Sequence, residues 1–178
     1  MEKKIIMIEN FFTEELLNLI DEKIKKFFSS KLDIPVFSSS ILNWEHSLVK
    51  SSAPILRHIL TNSDIDLLNE IKKESQNKIP YFVNDVLIHI CPRLSYIPWH
   101  SDSGHAAALT VYLNKNWDPD WGGYFMYREG GEIKAVKPER NLAILQKGGI
   151  VHSLSTINMD ADYRISIQCF LKSEKKIL

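Results

Sequence analysis

Hydrophobic and polar positions change period part-way along the chain, and the change marks where helices give way to strands. Ile5-Ile6-Met7-Ile8 is a short apolar run closed by Glu9-Asn10 and reads as a buried strand. Apolar residues then recur at helical spacing, at Leu16, Leu17, Ile20, Ile24, Phe27 and Phe28, with Asp21, Lys23, Lys25 and Lys26 between them. Thr13 precedes Glu14 and Glu15 as an N-cap followed by acids in the first turn. The expectation is an amphipathic helix packed on a sheet. Ser29 to Ala53 shows no clear period. Pro35 and Ser38-Ser39-Ser40 predict irregular chain or short strands there, with Trp44-Glu45-His46 inside. A second helix is expected over Asp64 to Lys73, capped by Ser63 or Asp64, with Ile65, Leu67, Leu68 and Ile71 as its apolar side.

From Tyr81 the pattern turns β-rich. Phe82 to Ile90 is followed by short β-prone runs over Ala108 to Leu113, Tyr124 to Tyr127, Ile133 to Val136, Leu142 to Leu145, Ile150 to Leu154 and Arg164 to Leu171. Asp118-Pro119-Asp120, Gly122-Gly123, Glu129-Gly130-Gly131, Lys137-Pro138 and Lys147-Gly148-Gly149 break them. Many short strands with such turns indicate a sandwich or small barrel. Helices first and strands later predict an α+β fold in which N-terminal helices brace a double-sheet jelly roll. One domain is expected, with a helical support region over residues 1–80 and a jelly-roll core over 81–171.

Composition narrows the class. The chain has 178 residues, 44% hydrophobic and 25% charged, which suits one domain with a real core. Its formal net charge of zero argues against a general binder of nucleic acid or of an anionic membrane. No apolar run approaches membrane-spanning length, and the apolar start is too short for a signal peptide. Cys91 and Cys169 both sit in strand-like runs and read as buried reduced thiols, so a cytoplasmic location is expected.

The chemistry starts at Pro98-Trp99-His100-Ser101-Asp102. At the end of a strand, residues two apart point the same way, so His100 and Asp102 converge. An imidazole and a carboxylate on one point are two-thirds of a 2-His-1-carboxylate facial triad for non-haem Fe(II). His152, in a strand after a glycine turn, is the favoured third ligand, and His105, in the loop just past Asp102, is its rival. Alternation along Arg164-Ile165-Ser166-Ile167-Gln168-Cys169 puts Arg164, Ser166 and Gln168 on one face. That face is either solvated or the inside of a barrel. An inward guanidinium needs an anion, and its fork suits a bound carboxylate, to which Tyr112 either adds a hydroxyl or, as a core tyrosine, adds nothing.

Taken in order, His100-x-Asp102, Tyr112-Leu113-Asn114, Trp121-Gly122-Gly123, His152 and Arg164-x-Ser166 resemble the Fe(II)- and 2-oxoglutarate-dependent dioxygenases, in their prolyl-hydroxylase-like branch. The resemblance runs from about Tyr81 to Leu171. It implies a double-stranded β-helix with His100, Asp102 and His152 as iron ligands. It also implies Arg164, Tyr112 and Ser166 as contacts of the 2-oxoglutarate cosubstrate. The reaction it implies is hydroxylation of a prolyl, peptidyl or small-molecule C–H with O2, releasing succinate and CO2. Where many members carry a tyrosine and a glycine before the first histidine, this chain has Cys91 and Leu94, and Tyr96 is the candidate replacement. Substrate choice is expected in the loops Ser29 to Ala53 and Asn114 to Trp121, where Trp117 and Trp121 either pack the sheet edge or contact a ligand. Two other readings remain at this point. One is a cupin-like jelly-roll metal protein that does not use 2-oxoglutarate, which an inward Arg164 and Ser166 disfavour. The other is a binding module without activity, which the full ligand set disfavours.

Overall fold

The computed structural model describes residues 4–29, 41–45 and 50–173, with the backbone alone for residues 26–29, 41–45, 50–54 and 56. His46 therefore lies outside the described residues. In chain order the elements are β1 (Ile5–Ile8), α1 (Glu14–Ser29), β2 (Ile41–Glu45), β3 (Lys50–Ile59), α2 (Ile65–Gln76), β4 (Tyr81–Cys91), β5 (Ile97–His100) and β6 (Ala107–Tyr112). They continue with β7 (Phe125–Glu129), β8 (Glu132–Val136), β9 (Ala143–Lys147), β10 (His152–Leu154) and β11 (Arg164–Ser173). The strands form two antiparallel sheets. One has the order β1-β9-β6-β11-β4-β3-β2 and the other β5-β10-β7-β8. This is a double-sheet jelly roll. Its larger sheet recruits β1, β2 and β3 from before Tyr81, so the first part of the chain is more than helical support.

The larger sheet divides its side chains cleanly. Val86, Ile88 and Ile90 of β4, Leu109 and Val111 of β6, and Ile167, Cys169 and Leu171 of β11 all point outward. There they pack with Leu16, Leu17 and Ile20 of α1 and Leu67 and Ile71 of α2 in one cluster. Such burial stabilises by roughly 25 cal/mol per Å² of apolar surface removed from water. Because the helices cover that face, the alternate residues Arg164, Ser166 and Gln168 turn into the space between the sheets. The barrel-interior reading of the last strand is the one the packing selects.

The two helix starts differ. Thr13 caps α1 as expected, its Oγ1 accepting from the Leu16 N–H at 3.3 Å. Asp64 occupies the N-cap position of α2, but its side chain makes no capping bond, nor does Ser63 supply one, since its hydroxyl donates to the Asp64 carboxylate at 3.2 Å. The carboxylate turns instead to His58 Nε2, at 3.1 Å, and to the Lys23 ammonium. A charged donor outweighs one neutral backbone N–H. Burial alone would raise the Asp64 pKa, yet the hydrogen bonds from Lys23 and His58 outweigh it and hold it below the ordinary carboxylate value. This cluster ties α1 to β3 and to the start of α2.

Candidate metal and cosubstrate site

Pairing on the smaller sheet builds the metal-binding candidate. His152 of β10 stands directly opposite His100 at the end of β5, so both imidazoles share a face, with ring centroids 4.2 Å apart. Asp102 lies just past β5 and points the same way. Its Oδ1 is 3.8 Å from His100 Nε2 and its Oδ2 is 3.5 Å from His152 Nε2. One ligand atom from each of the three lies within 4.8 Å of the others, the one such cluster among the described residues. Metal bonds of about 2.1 Å at right angles put neighbouring ligand atoms roughly 3 Å apart, so small side-chain shifts complete the site.

The imidazoles are already in the right tautomer. His100 Nδ1 donates to the Pro98 carbonyl at 2.8 Å, and His152 Nδ1 donates to the Ile150 carbonyl at 3.0 Å. A carbonyl only accepts, so each Nδ1 carries a proton, and in the neutral ring each Nε2 presents its lone pair to the cluster. His105 is not part of it. Its backbone N–H donates to the Asp102 carbonyl at 3.2 Å, and its ring stacks on Phe170 with centroids 4.2 Å apart. Of the remaining described histidines, His58 faces Asp64 on the helix side and His89 lines the cavity.

A cavity of about 410 Å³ opens from the three ligands into the space between the sheets. Arg164, Ser166, Cys91, His89 and Arg57 line it, along with Gln146. Arg164 is only 5% exposed, no carboxylate pairs with it among the described residues, and its Nε has no hydrogen-bond partner. Its guanidinium carbon lies 4.8 Å from the centre of the Tyr112 ring. The Tyr112 hydroxyl is fully buried and also lacks a partner, but Tyr112 packs in a core cluster and is not among the residues lining the cavity. The Arg164 donor, left unsatisfied in the cavity wall, is costly and calls for an acceptor that a ligand brings. Gly123 makes room for this arrangement. A Cβ there would stand 3.2 Å from Arg164 Cδ and 3.0 Å from the Trp117 ring, and its φ of +66° already favours glycine.

The structure also places Cys91, Tyr96, Trp117 and Trp121. Cys91 stands directly across from Arg164, and burial pushes its thiol pKa up against the nearby positive charge. Tyr96, the candidate stand-in for the missing tyrosine, is not among the residues lining the cavity. Trp117 packs with Ile55, Cys91, Leu154 and Ile157, and Trp121 rests on it edge-on at 5.3 Å. The Asn114 to Trp121 loop therefore closes the Arg164 end of the barrel instead of forming a rim around the metal ligands. Its tryptophans are structural because the apolar floor beneath Arg164 has to be covered.

Sequence reasoning missed Gln146, His89 and Arg57. A polar residue within an apolar strand was their signal, for Gln146 follows Ala143-Ile144-Leu145 and His89 lies between Ile88 and Ile90. His89 is half-buried. Burial, with the charges of Arg164 and Arg57, pushes its pKa down to about 4 from 6.5. The folded state thus binds fewer protons than the unfolded chain between those two values, so stability falls as pH drops through that window. At about 1.4 kcal/mol per pKa unit the loss is about 3 kcal/mol at most. Denaturant unfolding at a series of pH values should show His89→Gln losing less stability than wild type across the window. Equal slopes would mean that His89 is solvated.

No protein-family model matches the chain, and no curated protein matches it. Solved structures do. An oxidoreductase of the 2OG-Fe(II) oxygenase family from Burkholderia pseudomallei superposes with a TM-score of 0.70 at 15% identity, covering 95% of this chain and 85% of that one. A prolyl hydroxylase from Trichoplax adhaerens, in complex with a peptide fragment of the hypoxia inducible factor oxygen degradation domain, gives 0.73 at 15% identity, covering 96% and 84%. HygX from Streptomyces hygroscopicus, with nickel and 2-oxoglutarate bound, gives 0.66 at 9% identity, covering 96% and 83%. The fold is that of the 2-oxoglutarate oxygenases. At these identities the likeness concerns the fold, and the chemistry has to be argued from the residues of this chain.

Proposed function

We propose that this protein is an Fe(II)- and 2-oxoglutarate-dependent dioxygenase that hydroxylates a C–H bond of a prolyl, peptidyl or small-molecule substrate. The observation that carries the reading is one cavity holding both the His100, Asp102 and His152 cluster and an Arg164 that no carboxylate pairs with among the described residues. The donor set fits the metal. Two imidazole nitrogens and a carboxylate suit Fe(II), and three protein ligands leave positions open. The buried Arg164, whose Nε has no partner, fits the far carboxylate of a 2-oxo diacid. When bound, Fe(II) with O2 supplies the oxidative decarboxylation of 2-oxoglutarate to succinate and CO2 that is coupled to hydroxylation.

The chain's own residues bind and orient. His100, Asp102 and His152 hold the metal, and the Pro98 and Ile150 carbonyls fix both rings. Arg164, supported from below by Tyr112, anchors the cosubstrate so that its oxo-acid end faces the metal ligands. Ser166, on the same face and fully buried, is placed to add a hydroxyl. The apolar floor of Trp117, Leu154 and Ile157 keeps water from the guanidinium end. Cys91 and Cys169 are both buried and free of disulfides, which supports a reducing, cytoplasmic location. No helix among the described residues is long and apolar enough to cross a membrane.

Adding Fe(II) and 2-oxoglutarate to the purified protein without oxygen should produce a visible charge-transfer band. Oxygenated mixtures screened over peptides, amino acids and nucleosides should then form succinate. Metal uptake with no band on adding 2-oxoglutarate would shift the reading to a cupin-like metal protein.

A further inference from the structure

We infer that Gln146 is a positioning residue for the metal site, holding one oxygen of Asp102 so that the carboxylate offers the metal a single oxygen. The inference rests on the metal-site reading above. Gln146 lies in β9 opposite Ala108, and its side chain is buried at the ligand end of the cavity. Its Nε2 donates to Asp102 Oδ2 at 3.0 Å and comes within 3.4 Å of His152 Nε2. Both neighbours only accept, the carboxylate by charge and the imidazole because its proton is on Nδ1. The group between them must therefore be the amide NH2, whose two hydrogens match the two lone pairs.

Two consequences follow. Before a metal binds, the amide keeps the Asp102 oxygen and the His152 nitrogen from turning away. Without it, two acceptors would face each other at 3.5 Å with nothing between them. After a metal binds, the imidazole lone pair passes to the ion while the N–H stays on the carboxylate. That hydrogen bond competes with chelation through Oδ2, so it biases Asp102 toward offering a metal its other oxygen and leaves a position for the cosubstrate. A leucine or methionine at this position has the bulk and none of the donors.

The test uses Co(II) as the probe, followed by its visible absorption, with wild type, Gln146→Met and Gln146→Leu. Partners of metal ligands typically contribute about 10- to 100-fold in metal affinity, and a loss of that size is expected in both variants. Gln168→Met is the control for a general packing effect. Gln168 is buried on the same sheet face and accepts from Thr110 Oγ1 at 2.6 Å, without touching a ligand. Its Co(II) affinity should stay within about threefold of wild type. At saturating Co(II), both Gln146 variants should also bind 2-oxoglutarate more weakly and show a changed Co(II) spectrum. Metal-free melting temperatures identify a variant that has simply unfolded, and either Gln146 variant alone suffices. Wild-type Co(II) affinity in a folded Gln146 variant overturns the inference, as does an equal loss in Gln168→Met. In both cases wild-type uptake leaves the metal-site reading standing. Failure of wild type itself to bind Co(II) removes both together.

Discussion

Alanine at His100 or at His152 is expected to end turnover and to weaken Fe(II) binding by more than about 100-fold, the upper range seen when merely a partner of a ligand is lost. The physical reason is that a facial triad has no spare ligand. His100 and His152 supply two of the three donor groups, and each is held at its angle by one carbonyl. Their pairing across β5 and β10 is antiparallel and direct, which keeps both rings on one face. His105→Ala is the instructive comparison. That ring stacks on Phe170 and stands outside the cluster, so its loss should leave metal affinity nearly unchanged. Isothermal titration with Fe(II) under anaerobic conditions reads all three variants. Normal binding by His152→Ala together with loss in His105→Ala would reassign the third ligand.

Arg164→Ala is expected to raise the 2-oxoglutarate Michaelis constant while leaving the metal in place. Removing one partner of a buried charged pair costs about 2–5 kcal/mol. That is roughly 30- to several-thousand-fold in affinity, since about 1.4 kcal/mol is tenfold. Arg57 also lines the cavity and carries a second guanidinium, but the Tyr112 ring and the apolar floor belong to Arg164. Ser166 offers a hydroxyl only, and the floor of Trp117 and Ile157 keeps water away. Lysine should restore part of the loss, because it carries the charge without the planar fork. Lysine would also forgo the stack on Tyr112 that holds the guanidinium 4.8 Å above the ring. A Michaelis constant within about threefold of wild type would make Arg164 a structural residue and favour a metal protein that does not use 2-oxoglutarate.

Much of this molecule was written locally. The helical spacing of Leu16, Leu17, Ile20 and Ile24, the alternation along β11 and the glycine and proline breaks each depend on neighbours within a few residues. They foretold α1, α2 and most strands from β4 onward. The His100-x-Asp102 spacing belongs to the same class, because a carboxylate two residues past a strand-end histidine is close to it whatever the rest of the chain does. Local pattern stops at the question of which face is inside. Alternation separates Arg164, Ser166 and Gln168 from Ile165, Ile167 and Cys169, and it is α1 and α2, packed on the second set, that turn the first set inward. The sequence favours His152 over His105, but only the register of β10 against β5 brings it beside His100 and Asp102. Asp64 left its helix cap because Lys23 and His58 arrive from other elements. Gln146 reads as an ordinary strand residue until β9 carries it to Asp102 and His152. In each case the deciding contact joins residues on different elements, and its energy exists only after the sheets have closed.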